Sequence, residues 1–247
     1  MGSNKKAITV LITLILTSVI VFCAEVKFLV PEPRGSTVSN YKDLPYADKV
    51  VLLVEDFEGI DTAKVRLHDA GFFDYGSAKI SVDEKSVDNT PLSLKAALKV
   101  TWNGSEKFGG WGKGIGANID LDSAQDFLNF RIYIPKEASG METLRIILEE
   151  DDNDDGKLQK DKDDAWYYEV NLPDKGRWQM ISIALKNFKD DNEGGDHKFN
   201  VTKKGGLHTI IFAFQHPENY VVDQSWYFDF ICFSKEKLSD KIGRENG

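Results

Sequence analysis

The chain has 247 residues, 29% of them charged, and a formal net charge of -9. Such an acidic surface repels polyanions and excludes nucleic acid and anionic membranes as partners. Its two cysteines, Cys23 and Cys232, leave no internal disulfide once a leader carrying the first is removed, so the fold must be stabilised by its core.

Lys5 and Lys6, the apolar run 7–22, and Cys23-Ala24 predict a secretory signal peptide over 1–24. The run is shorter than the roughly 20 residues of a spanning helix. Cleavage after Ala24 is expected, with lipid attachment at Cys23 as the alternative. Loss of two lysines and no acid then moves the formal charge from -9 to -11. The mature protein is expected to be exported, to the periplasm or beyond the cell.

Residues 25–48 hold Pro31, Pro33 and Pro45 with few periodic apolar positions and predict an extended N-terminal arm. From residue 49 the pattern changes. A buried strand over Val50–Val54 leads into the acidic turn Glu55–Gly59. Further strands are predicted at 78–82, 96–102, 127–134, 144–148, 166–172, 178–185, 207–214 and 226–233. Strict alternation in Phe130-Arg131-Ile132-Tyr133-Ile134 puts one face on a core and the other in solvent. Helical pattern is confined to 92–98, 123–127 and the polar tail at 236–247. The prediction is an all-β sandwich or jelly roll over 49–235.

Asp151-Asp152-Asn153-Asp154-Asp155-Gly156 sets oxygen ligands at alternate positions before a glycine, the opening of a calcium loop. Asp151, Asn153 and Asp155 are therefore candidate Ca2+ ligands, although Lys162 stands where the twelfth-position glutamate belongs. The other reading of this segment is a solvated acidic hairpin loop. Trp102, Trp166, Trp178 and Trp226 lie in apolar strand patterns and predict core positions, whereas Trp111, inside Phe108-Gly109-Gly110-Trp111-Gly112, is expected to be partly exposed. The four histidines lack metal-ligand spacing and no serine sits in a nucleophile elbow. Glu149 and Glu150, adjacent on a strand, point to opposite faces and so do not form a glycosidase pair. No catalytic residue is assigned and the chain is not expected to be an enzyme.

Asp56-Phe57-Glu58-Gly59, Gly110-Trp111-Gly112, Trp178 to Phe188, and Trp226-Tyr227-Phe228-Asp229-Phe230-Ile231 occur in that order. Together they resemble the galactose-binding-like β-sandwiches, in particular carbohydrate-binding modules of family 11, over about 50–233. The outline and the closing segment Ile211 to Glu218, Tyr220 and Tyr227-Phe228-Asp229 are also similar to spirochaete flagellar-filament sheath proteins of the FlaA type. The second resemblance implies a motility role as a periplasmic sheath subunit, partnered by a flagellin core or other sheath subunits. The first implies recognition of a β-glucan or other polysaccharide, with Trp111 or Tyr220 stacking on sugar and Gln215, His216 or Asp229 bonding its hydroxyls. In those modules tyrosines supply the stacking, and Gly110 stands where they carry an aromatic residue.

Overall fold

The computed structural model describes residues 47–239 apart from 59, 61–66, 84–95, 103–105, 139–142, 173, 203–205 and 216–223. The predicted signal peptide, residues 25–46 of the predicted arm and residues 240–247 of the predicted tail lie outside these residues. Among the described residues there is no α-helix.

Among the described residues twelve strands form two six-stranded sheets with every pair antiparallel. In chain order they are β1 (Val50–Glu55), β2 (Phe72–Gly76), β3 (Ala78–Asp83), β4 (Ala97–Trp102), β5 (Phe108–Ala117), β6 (Phe127–Tyr133), β7 (Thr143–Glu150), β8 (Ala165–Val170), β9 (Trp178–Ala184), β10 (Lys189–Asp190), β11 (Leu207–Gln215) and β12 (Gln224–Ser234). One sheet runs β3-β4-β12-β6-β9, with β1 paired to the C-terminal half of β12. The other runs β10-β8-β7-β11-β5-β2. The fold is an all-β sandwich.

The predicted strands are all present, with ends shifted by a few residues. Ala97 and Leu98 belong to β4 instead of a helix; both are fully buried, and Leu98 packs in the core between the sheets. Ser123 to Gln125 make a single turn, in which the amides of Gln125 and Asp126 donate to the Asp122 carbonyl. Strands β2, β5 and β10 have no counterpart in the sequence reading.

Period-two alternation delivers one face of each sheet to the interface. Phe130, Ile132, Trp226 and Phe228 of the first sheet meet Trp111, Ile146, Phe212 and Phe214 of the second, all at most 2% exposed. Trp111 stacks on Phe212 with centroids 4.4 Å apart and meets the edge of Phe228 at 5.4 Å. Trp102 and Trp226 are buried as predicted and Trp166 is half-buried against the core, but Trp178 is half-buried outside it, opposite Tyr133 on β6. Trp111 is a correction: at 0% exposure it is a central core residue and faces no ligand. Its flanking glycines belong to a strand sandwiched between β11 and β2, so the ring is directed inward.

Asp229 is also corrected. It lies within β12, opposite Arg131 of β6, at a bulge where one extra β12 residue is accommodated before Cys232 pairs with Asn129. Phe230 there has φ 46°, and its amide donates to Asp229 Oδ1 at 2.7 Å. Asp229 is fully buried, so its carboxylate shapes the bulge and is not presented to solvent.

Candidate functional site

Trp111 faces inward, so its neighbours Gly110 and Gly112 face outward, and register carries that outer face across the sheet. One row reads Tyr75, Gly110, Ala213, Arg145 and Glu169. The next reads Phe73, Gly112, Ile211, Ile147, Tyr167 and Lys189. The middle strands thus present small or aliphatic groups, and the flanking strands present rings.

The two glycines are required by close approach. A Cβ on Gly110 would stand 2.6 Å from the Tyr75 hydroxyl oxygen and 2.5 Å from the Phe212 carbonyl, and one on Gly112 would collide with the Phe73 ring. Tyr75, 40% exposed, therefore lies over the glycine strand. Phe108, 56% exposed, pairs with Gln215 at the end of the same face.

On the opposite flank the Arg145 guanidinium sits 3.7 Å from the centre of the Tyr167 ring and forms an ion pair with Asp191. Between the flanks lies Glu149, opposite Thr209. Burial pushes the Glu149 carboxyl above its ordinary value, opposed by the nearby His208 and by a hydrogen bond with Thr209. The Tyr75 hydroxyl is also held above its usual value, first by burial and then by the charge of Glu149. Rings, a guanidinium, a carboxylate and hydroxyls on one open face suit a ligand with apolar faces and many hydroxyl groups.

The residues assigned from sequence are not brought together. Trp111 is in the core, Asp229 is buried in the other sheet, and His216 and Tyr220 lie outside the described residues. Gln215 alone reaches this face, half-buried at the end of β11. The residues missed are Tyr75, Arg145, Glu149 and Tyr167. The alternation of Arg145, Ile147 and Glu149 would have marked a common face, but nothing local pairs Tyr75 with Gly110.

The oxygens of Asp151, Asn153 and Asp155 close local turns. Asp151 accepts from the amides of Asp155 and Gly156 at 3.2 and 2.8 Å, and Asn153 Oδ1 accepts from the Asp155 amide at 3.0 Å. Asp155 accepts from the Lys157 amide at 2.9 Å and from the Gln159 side chain. Glu149 and Glu150 diverge, the first to the outer face and the second to a buried position at the strand end.

The fold defines the class as an antiparallel two-sheet β-sandwich with an aromatic-flanked outer sheet face. Among solved structures, it is similar to the family 11 carbohydrate-binding module from Clostridium thermocellum in complex with a β-1,3-1,4-mixed-linked tetrasaccharide. Identity is 17%, the match covers 74% of this chain and 94% of the module, and the TM-score is 0.48. A family 30 carbohydrate-binding module matches with 14% identity, 68% and 83% coverage and a TM-score of 0.47. No protein-family model and no curated protein sequence matches the chain.

Proposed function

We propose that the protein is an exported, non-catalytic polysaccharide-binding protein whose ligand lies across the outer face of β2, β5, β11, β7 and β8. The observation that supports this is the placement of Tyr75 over a glycine-lined strand, with the Arg145–Tyr167 pair across the same face. From β2 to β8 the face spans four strand spacings, about 19 Å, the length of a short oligosaccharide. Tyr75 and Tyr167 stack on sugar rings, while Arg145, Glu149 and Gln215 bond hydroxyls. This face supports the carbohydrate reading; among the described residues no specific observation favours a filament-sheath subunit.

The test is affinity electrophoresis through gels containing soluble mixed-linkage β-glucan, xylan or agarose. The wild-type protein is retarded by at least one of them. Tyr75→Ala and Arg145→Ala each weaken binding at least about tenfold, equivalent to 1.4 kcal/mol, with unchanged thermal stability. Migration of the wild type unretarded through all three gels sinks the reading.

A further inference from the structure

Away from the glycan face, the loops following β7 and β10 bring together three carboxylates. Oxygens of Asp152, Asp164 and Asp196 all lie within 4.8 Å of one another. Asp164 is fully buried; its Oδ2 accepts from the Lys198 amide at 3.2 Å, while its Oδ1 has no hydrogen-bond partner among the described residues. Glu150, 1% exposed, lies beside the group, with one oxygen accepting from the Asn200 amide at 2.9 Å and the carboxyl also hydrogen-bonded to the Trp166 side chain. None of Glu150, Asp152 and Asp164 forms an ion pair among the described residues.

Buried carboxylates in such a group oppose one another unless a proton or a cation compensates them. The surrounding backbone fixes the group in place. Asn192 donates from its side chain to the carbonyls of Lys160 and Asp163, at 3.1 and 2.7 Å, and accepts from the Ala165 amide at 2.7 Å. Gly195, at φ +75°, passes so close to Asp164 Oδ1 that any Cβ would occupy that oxygen's surroundings.

We propose that Asp152, Asp164 and Asp196 bind one Ca2+ ion, which staples the loop after β7 to the loop after β10. Ca2+ takes oxygen ligands at about 2.3–2.6 Å, so oxygens on opposite sides of one ion stand up to about 5 Å apart. The 4.8 Å spread of the three carboxylates fits that limit. A set made only of carboxylate oxygens selects a hard cation over zinc or copper. The site differs from the Asp151, Asn153 and Asp155 set, whose oxygens close their own turns. Asp196 lies five residues after Asp191, the ion-pair partner of Arg145, yet the site does not depend on the glycan reading.

Chelator-stripped protein titrated with CaCl2 by calorimetry, beside thermal unfolding with and without the ion, tests the proposal. One binding event is expected, with a Tm rise of roughly 5–10 °C when free Ca2+ stands about a hundredfold above Kd. Asp164→Asn and Asp196→Asn each weaken binding at least about tenfold. Asp196 is exposed, so Asp196→Asn decides the matter should Asp164→Asn not fold. Absence of both heat and Tm shift in the wild type overturns the site. So does unchanged affinity in Asp196→Asn, and loss of binding in Asp155→Asn alone would move the ion to residues 151–156.

Discussion

The Tyr75 hydroxyl oxygen stands 2.6 Å from the point where a side chain on Gly110 would begin. The ring on this part of the face is thus supplied by edge strand β2, and the glycine of β5 makes room for it. Gly110→Ala is expected to destabilise the protein by about 1–3 kcal/mol, because the new methyl meets both Tyr75 and the Phe212 carbonyl. Tyr75→Ala relieves the first clash only. In a double-mutant cycle the two changes should therefore be non-additive by at least about 0.5 kcal/mol. Chemical denaturation of the four proteins measures this, and strict additivity would mean that ring and glycine are not in contact.

Trp111 carries stability and not recognition. Its ring fills the space between Phe212, Phe228 and Phe72. Trp111→Ala should cost about 3–5 kcal/mol, while the milder Trp111→Phe should retain polysaccharide binding. Denaturation midpoints and gel retention on the same samples separate the two roles. A Trp111→Phe protein with wild-type stability and no retention would return the residue to the binding site.

The core of this sandwich was legible where apolar and polar residues alternate: Phe130 and Ile132 of β6 face inward as expected, but its other face does not meet solvent, since Asn129 and Arg131 are 0% and 1% exposed. Strand β5 was not legible, because five of its ten residues are glycine, and glycine reads as a turn unless the neighbour that needs the space is known. That neighbour, β2, lies more than thirty residues earlier, so the Tyr75–Gly110 contact is a consequence of sheet order. The same omission made Trp111 look exposed. The strand at 226–233 was legible, but Asp229 was taken for a hydroxyl-binding residue because nothing in Trp226 to Ile231 reveals the bulge at which its side chain is buried.

The buried Asp229 predicts an acid-favouring contribution to stability. Burial raises its carboxyl well above the ordinary value. The Phe230 amide and Arg131 oppose that shift, and Glu58 and Asp56 add to it. A raised folded-state value means that the folded protein holds the proton more tightly than the unfolded chain. The contribution is complete below the ordinary carboxylate value of about 3.9 and is lost as pH rises through the raised one. Asp229→Asn keeps an oxygen for the Phe230 amide and carries no charge. Its stability relative to wild type should improve as pH rises above the ordinary carboxylate value of about 3.9, by at most about 1.4 kcal/mol per pH unit. Parallel Tm-against-pH curves for the two proteins would contradict this.

Lys113 and Glu55 form an ion pair inside the sandwich, at 4% and 0% exposure. Lys113 also donates to the Val54 carbonyl at 3.1 Å, and its ammonium lies 4.6 Å from the centre of the Phe72 ring. Glu55 Oε1 accepts from the amides of Asp56 and Phe57 at 3.1 and 2.9 Å, holding Phe57 at a φ of 58°. Removing the lysine alone leaves a carboxylate buried without its counter-charge, and Lys113→Met should cost about 3–5 kcal/mol. Glu55→Gln added to Lys113→Met removes the stranded charge while the amide oxygen still serves the turn. Equilibrium denaturation should show the double variant recovering at least about half of the loss, since desolvating the pair offsets much of its mutual attraction. A double variant no more stable than Lys113→Met would mean instead that the loss comes from the missing bond to Val54 and the packing on Phe72.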